Sequence, residues 1–325
     1  MTPVDSLERI KASPISNTTA AKAATEHSMA DAAGKSVSTF WHGASLTPLD
    51  LACLLSFVHH GFKVTIYAYG PLKGLPADIA VADAGEIVDR KYLDGFVVQG
   101  KPSLQHFSDY FRYRMFERTG STWIDTDLVC LSDFSVPTSG NLFAYETATS
   151  VNNAIMRIDP AEPGLKPLIA ETESFAFGSG MEWGATGPIL VSRSFGKDAF
   201  ADAHPSCVFY PIPWETWWKP FLPSARAEAE ALCKGARTLH LWNNIVEKSG
   251  YWKAIAPPEG SFLHEVFRRQ GTLDLFEATY PERVVEHLTQ NYLNSQTADH
   301  MTVRQLVGIT IPRALAGMRK RLKQD

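Results

Sequence analysis

Apolar positions along the chain switch between a period near two and a period near 3.6, and each switch marks an element. Residues 37–41, Val-Ser-Thr-Phe-Trp, form a short apolar run that predicts a strand. Pro48 then opens a helix through His60, with Leu46, Leu49, Cys53 and Phe57 roughly in phase and Gly61 as its stop. Residues 63–69 are β-branched and aromatic and end at Gly70-Pro71, a strand with a turn behind it. Strand, helix and strand within about 35 residues make a βαβ unit, which predicts a parallel pair. Short strands follow at 79–82 and 86–89, and Pro102 begins a helix that ends near Gly120. Leu104, Phe107, Phe111, Met115 and Phe116 make that helix's buried stripe. Residues 122–131 are the strongest strand candidate, with further strands at 141–145, 153–158 and 188–192. This alternation predicts an α/β fold with a largely parallel sheet. After residue 262 the texture changes to helices at 265–269, 281–288 and 303–322 without intervening strands. The predicted organisation is a disordered or loosely helical Ala-, Ser- and Thr-rich leader (1–36), an α/β domain (37–262) and a helical C-terminal appendage with a basic tail (263–325).

Composition narrows the function. The chain has 325 residues, 45% hydrophobic and 20% charged, enough for one large α/β domain or two small ones. A net charge of -4 argues against nucleic acid as the main partner, because phosphate binding calls for a basic surface. Cys53, Cys130, Cys207 and Cys233 are scattered, with no Cys-x-x-Cys, and three of them lie in apolar surroundings. They read as reduced core thiols, which favours a cytoplasmic setting. Residues 1–14 hold no apolar segment of the secretory type. The longest apolar stretch, 49–58, is broken by Asp50 and Ser56 and is too short to span a bilayer. A soluble or peripheral protein is expected.

The central chemical signal is Trp123-Ile-Asp125-Thr-Asp127-Leu-Val129. Two carboxylates two residues apart inside apolar flanks are poor core material, since an unpaired buried charge is very costly. Where a strand ends, both can reach one cation, and hard divalent ions take oxygen ligands while leaving positions for substrate phosphates. An isolated Asp-x-Asp is weak evidence; its place behind a long helix and within an apolar strand strengthens it. In that helix Asp109 and Arg112 are three apart and share a face. Alone they would be a surface ion pair of little worth. Beside the Asp-x-Asp strand they suit a carboxylate for sugar or ribose hydroxyls and a guanidinium for a pyrophosphate or sugar oxygen.

The run Ser108-Asp109-x-x-Arg112 followed by Thr119-Gly120-Ser-Thr-Trp-Ile-Asp125-Thr-Asp127 is similar to the Asp-x-Asp region of retaining GT-A glycosyltransferases. The nearest groups are the initiating α-mannosyltransferase-like proteins and the α-1,4-galactosyl and GlcNAc transferases, that is, glycosyltransferase family 32-like proteins. Those families usually carry Gly-Gly-x-Tyr before the motif; here Gly120-Ser-Thr-Trp123 keeps the aromatic and loses the second glycine. Phe40-Trp41-His-Gly43, the helix from Leu49 to Phe57 and Thr65-Ile-Tyr67-Ala-Tyr69 resemble the family's opening βαβ unit. Gly184-Ala-Thr-Gly187-Pro188-Ile-Leu, Phe209-Tyr-Pro-Ile-Pro213-Trp214 and His240-Leu-Trp242-Asn243 resemble the α-1,4-glycosyltransferase C-terminal region. The likeness runs in order over residues 39–262.

The resemblance implies a GT-A fold, a mixed, mainly parallel sheet flanked by helices, with Mn²⁺ or Mg²⁺ as cofactor. It implies Asp125, Asp127 and Arg112 as catalytic residues and Asp125, Asp127 and His240 as metal ligands, Asp127 foremost. Trp41, Asp109, Arg112, Asp125, Asn153, Gly187 and His240 are implied to bind the donor, with Asn152 second to Asn153. The metal and Arg112 would neutralise the departing nucleoside diphosphate. Retention follows from the family only. Glu146 and Glu182 are the carboxylates available to a two-step route, whereas a same-face route needs no protein nucleophile. UDP-hexose is the preferred donor and GDP-mannose the next. The acceptor is a glycan or lipid-linked glycan, in bacterial surface polysaccharide synthesis.

Two further segments carry readings of their own. Trp214, Trp217 and Trp218, with Tyr210 and Phe221, are either a core patch or a sugar-stacking acceptor wall. The tail from Ile311 to Lys323 mixes apolar and basic residues, as a solvated helix end or an interfacial contact on anionic lipid at the inner face of the membrane. The competing functions are a haloacid-dehalogenase-type phosphatase, whose motif Val129 would fit, and a sugar-binding protein without turnover.

Overall fold

In the computed structural model, which describes residues 34–299 apart from Ser179, Trp183 and Gly196, the chain opens with the βαβ unit its pattern predicts. Strand β1 (Ser36–Phe40) leads through α1 (Pro48–His59) to β2 (Lys63–Ala68), and the strands pair in parallel with Val37 opposite Val64. Thr47 caps α1, accepting the Asp50 N–H, and Pro48 sits at the helix start, where its missing N–H costs nothing. β3 (Ile79–Asp83) adds a third parallel strand. The strand expected at 86–89 is absent: Asp83 accepts the Gly85 N–H and turns the chain into a 3₁₀ helix, Ala84–Glu86, that buries Ala84.

A two-residue hairpin, β4 (Val97–Val98) and β5 (Lys101–Pro102), precedes α2 (Leu104–Thr119). Pro102 therefore ends a strand instead of starting the helix, which begins after Ser103 and stops at left-handed Gly120. Of the predicted stripe, Phe107, Phe111, Met115 and Phe116 are buried, while Leu104, in the first turn, is 44% exposed. The segment 122–131 is two strands, β6 (Thr122–Ile124) and β7 (Leu128–Cys130), broken at the Asp-Thr-Asp tripeptide. β8 (Leu142–Tyr145) and β9 (Val151–Arg157) complete a six-stranded sheet in the order β3-β2-β1-β6-β9-β8. The first four strands are parallel, and β9 is antiparallel to both β6 and β8. The expected mixed, mainly parallel sheet flanked by helices is thus observed.

Side chains alternate across this sheet. Trp123 and Met156 face the core shared with α2, whereas Ile124 and Ile155 face the core shared with α1. Each buried Phe of α2 is worth about 1.5–3 kcal/mol of transfer free energy. α3 (Leu165–Ser174) packs on α2. The run from Pro188, expected as a strand, is a helix, α4 (Pro188–Ser194). Leu190 and Val191 are both buried while Ile189 is 72% exposed, a helical pattern that an alternating strand could not give. Pro188 at its first position, behind Gly187, fits a helix start.

The remaining chain runs through α5 (Ser206–Phe209), α6 (Arg226–Leu232), β10 (Thr238–His240), α7 (Asn243–Lys248), β11 (Ile255–Ala256), α8 (Phe262–Arg269), β12 (Ala278–Thr279) and α9 (Glu282–Asp299). β10 pairs with β7 in a separate two-stranded sheet. Phe262, Leu263, Phe267 and Val285 pack in one cluster with Leu49, Cys53 and Val129, so the chain beyond residue 262 shares a core with α1 and β7. The predicted leader up to residue 33 and the helix at 303–322 lie outside the described residues. Among the described residues, no helix is long and apolar enough to cross a membrane. Cys53, Cys130 and Cys233 are buried and free, and Cys207 is free and exposed.

Candidate active site

The break between β6 and β7 has a simple cause. Ile124 and Leu128 are both fully buried, so the apolar flanks fix the chain on either side and leave the tripeptide to turn between them. β6 stays in the main sheet to its end, where the Asp125 N–H donates to Ala154 O (2.7 Å). The Leu128 N–H then reaches back to Asp125 O (3.3 Å), and β7 leaves to pair with β10, with Leu128 opposite His240. The strand order reverses beside β1: β2 and β3 lie on one side of it, β6 on the other. Crevices at the carboxyl ends of strands at such a switch point are the usual ligand sites of open α/β sheets. Trp41 directly follows Phe40, the last residue of β1, at this edge. The Trp41 indole N–H donates to Ser45 O (3.2 Å).

β10 brings His240 to the carboxylates. Ligand atoms of Asp125, Asp127 and His240 lie within 4.8 Å of one another. His240 Nε2 is 3.2 Å from Asp127 Oδ2, which also accepts the Asn243 N–H (2.7 Å). Asp125 Oδ1 accepts from Arg112 Nη2 (2.8 Å) and Trp123 Nε1 (2.6 Å). The two carboxyls differ electrostatically. Burial raises the Asp125 pKa above the ordinary value, opposed by Arg112 and reinforced by the charge of Asp127. Burial also pushes on Asp127, but the His240 charge and hydrogen bond, with the Asn243 N–H, hold its pKa below the ordinary value. Burial disfavours charge on His240 too, yet Asp127 raises its pKa overall.

Arg112 is 3% exposed. Its guanidinium donates to Asp109 Oδ1 (3.2 Å) as well as to Asp125 and lies 4.6 Å from the centre of the Trp123 ring. The sequence suggests a cation open to a diphosphate; the structure instead turns Arg112 onto two carboxylates. Asp109 is buried, with Oδ1 also accepting from Asn153 Nδ2 (2.8 Å) and Oδ2 from Thr186 Oγ1 (2.8 Å). Its carboxyl is pushed up to about 6 by burial, against Arg112 and these hydrogen bonds. Gly187 stands against the same group, where a Cβ would meet Asp109 Oδ2 at 3.4 Å and Asn153 Nδ2 at 3.9 Å.

One face of α2 pins the Gly184–Gly187 loop. His106 Nε2 accepts the Gly184 N–H (3.0 Å), Asp109 holds the Thr186 hydroxyl, and Tyr113 Oη donates to Thr186 O (2.7 Å). Positions 106, 109 and 113 are spaced to share a helical face. Because His106 Nε2 accepts, its Nδ1 carries the proton toward Ser103 Oγ (2.6 Å), and burial keeps its pKa low.

The other predicted residues separate. Asn152 donates to Glu146 Oε2 (2.7 Å), while Glu182 is exposed. Of the aromatic wall, Trp217, Tyr210 and Phe221 are core residues. Trp214 is exposed, and Trp218 lines a groove of about 530 Å³ with Arg283, His287 and Gln290 of α9. Sequence reasoning missed Thr186 and the pair Asp50–Asn243. A charge inside the apolar run 49–58 was the available signal for Asp50, which is fully buried.

Residues 176–270 match the family model described as the alpha 1,4-glycosyltransferase conserved region. Lactosylceramide 4-alpha-galactosyltransferase of Rattus norvegicus is 27% identical over 148 residues, covering 42% of this chain and 40% of that protein. The Homo sapiens protein of the same name is 25% identical over 148 residues, covering 42% and 41%. The chain spans about two fifths of the length of these relatives. The solved structure of PaToxG glycosyltransferase aligns with a TM-score of 0.36 at 12% identity, covering 54% of this chain and 76% of that chain. Asp125 and Asp127 precede the matched segment, whereas the pinned loop, His240 and Asn243 lie within it. Residues 176–270 are thus similar to the alpha 1,4-glycosyltransferase conserved region, and part of the chain is similar to the lactosylceramide 4-alpha-galactosyltransferases.

Proposed function

We propose that this protein is a divalent-cation-dependent glycosyltransferase that moves a hexosyl unit, with retention, from a nucleotide sugar to a glycan or lipid-linked glycan. UDP-hexose is the preferred donor and GDP-mannose the second. One observation carries the reading: Asp125, Asp127 and His240 converge at the carboxyl edge of the parallel strands, in a chain bearing the alpha 1,4-glycosyltransferase region. Two carboxylates and an imidazole suit Mn²⁺ or Mg²⁺, and the mutual repulsion of Asp125 and Asp127 gives such an ion something to neutralise. When bound, the cation supplies positive charge opposite the departing diphosphate.

The protein's own groups supply position. Arg112 and Trp123 fix the Asp125 carboxylate, and Asn243 and His240 fix that of Asp127. Gly187, Asn153 and Asp109 form the wall we assign to the donor sugar, with Trp41 at the neighbouring strand end. The transferase domain of this reading covers residues 37–262, with the later helices packed on it. A cytoplasmic setting, with the basic tail on an anionic inner membrane face and a surface polysaccharide as product, completes the proposal. Flotation with anionic liposomes, lost on deletion after Pro312, is the expected result for the tail.

The test is nucleoside diphosphate release from a panel of nucleotide sugars, with Mn²⁺ or with EDTA. Mn²⁺-dependent release from one donor, abolished in Asp127→Asn, is expected. No release from any donor, with no thermal shift by UDP or GDP plus Mn²⁺, overturns the transferase reading.

A further inference from the structure

Asp50 is a carboxylate in the apolar helix α1, and it is completely buried. Its partners are specific. Lys253 Nζ lies 3.1 Å from Oδ2, Thr47 Oγ1 donates to Oδ2 (2.5 Å), and Asn243 Nδ2 donates to Oδ1 (2.9 Å). A helix dedicated to core packing would be served equally well by an apolar residue there, because replacing a buried ion pair by well-packed hydrophobic groups is often neutral or stabilising. The pair therefore calls for a use other than packing.

Asn243 supplies one. A carboxylate only accepts, so Asp50 fixes the orientation of the Asn243 amide, with Nδ2 toward Asp50. That orientation leaves Asn243 Oδ1 buried without a partner, an arrangement that stability alone would not keep. Meanwhile the Asn243 backbone N–H donates to Asp127 Oδ2 at 2.7 Å. The preceding residue, Trp242, is left-handed (φ 59°), which turns the chain so that this N–H faces the carboxylate. Trp242 is held there by its indole N–H on Ile212 O (3.1 Å) and by its ring, 4.1 Å from that of His240.

From this line of contacts we infer that Asp50 is a positioning residue of the site: acting through Asn243, it sets the orientation of the Asp127 carboxylate for its cation. The inference deepens the cation-dependent reading above and rests on it. The Asp50–Asn243–Asp127 line works as a second layer behind the ligands, where substitutions typically cost about 10–100-fold in metal affinity.

The experiment titrates Mn²⁺ alone into the full chain, following the free-ion electron paramagnetic resonance signal, with a thermal melt of every variant. Asn243→Ala removes the orphaned carbonyl along with the Asp50 bond, and Asp50 keeps Thr47 and Lys253. Its melting temperature is therefore expected to stay near that of the parent while Mn²⁺ affinity falls about 10-fold or more. Asp50→Ala is expected to lose a similar factor, Asp50→Asn to recover most of it through the remaining acceptor oxygen, and the double alanine variant to fall no further than the weaker single. A folded Asn243→Ala with unchanged Mn²⁺ affinity overturns the inference, and it decides the matter alone if Asp50→Ala does not fold. Losses that multiply in the double variant overturn it as well. Mn²⁺ binding that survives Asp127→Asn instead sinks the cation site itself, a separate failure.

Discussion

Asp125 Oδ1 receives two donors, Arg112 Nη2, whose guanidinium also holds Asp109, and Trp123 Nε1, whose ring packs in the core beside α2. Asp127 is held by His240 and Asn243 from the far side of the site. Removing Arg112 would leave Asp109 and Asp125 facing each other without a cation. Arg112→Met is therefore expected to cost about 3–5 kcal/mol, read from denaturant melts. Arg112→Lys is expected to fold but to release nucleoside diphosphate more than 10-fold more slowly, since an ammonium lacks the planar fork that spans both carboxylates. A Lys variant as fast as the parent would show that charge alone suffices. The sequence exposed Asp109, Arg112, Asp125 and Asp127 through their spacing. It did not expose the direction in which Arg112 points, because three-residue spacing on a helix says nothing about what lies above that face.

At the scale of elements, α2 does two jobs on two faces. Phe107, Phe111 and Phe116 fill the core, and His106, Asp109 and Tyr113 hold the Gly184–Gly187 loop. The first job was legible, since apolar spacing records it; the second was not, because its partners are some 75 residues distant in the chain. Phe111→Ala is expected to destabilise by about 3–5 kcal/mol, checked by urea melts. Thr186→Val keeps the shape of the side chain and removes the hydroxyl that Asp109 accepts. It is expected to raise donor KM several-fold with little change in Tm, measured by diphosphate release across donor concentrations; an unchanged KM would detach the loop from donor binding. Two errors at this scale share one cause: the run Pro188-Ile-Leu-Val and the segment 122–131 are short apolar stretches, and such stretches do not reveal whether they continue, coil or break.

For the whole molecule, two apolar clusters meet around α1, which faces the sheet with Leu51, Leu54 and Phe57 and the C-terminal half with Leu49, Ala52 and Cys53. Truncation after residue 262 removes Leu263, Val266, Phe267 and Val285 from that second cluster. The truncated chain is expected to be insoluble or without a cooperative melt; a folded, cooperative fragment would show that the later helices are dispensable. The opening βαβ unit was legible because its contacts are close in sequence. The meeting of Asn243 with Asp127 spans 116 residues and left no periodic trace. His240 was reached only through family likeness, and Asp50 not at all.

The interruption of the strand between Ile124 and Leu128 has a mechanical consequence. Asp125 is fastened to the six-stranded sheet by Ala154 and to α2 by Arg112, and Asp127 to the two-stranded sheet by His240 and, through its carbonyl, to the Leu241 N–H just beyond it. The tripeptide therefore works like the jaws of a caliper, one jaw fixed to each sheet. Because Ile124 and Leu128 pack in one apolar cluster, that cluster holds the gap between the carboxylates.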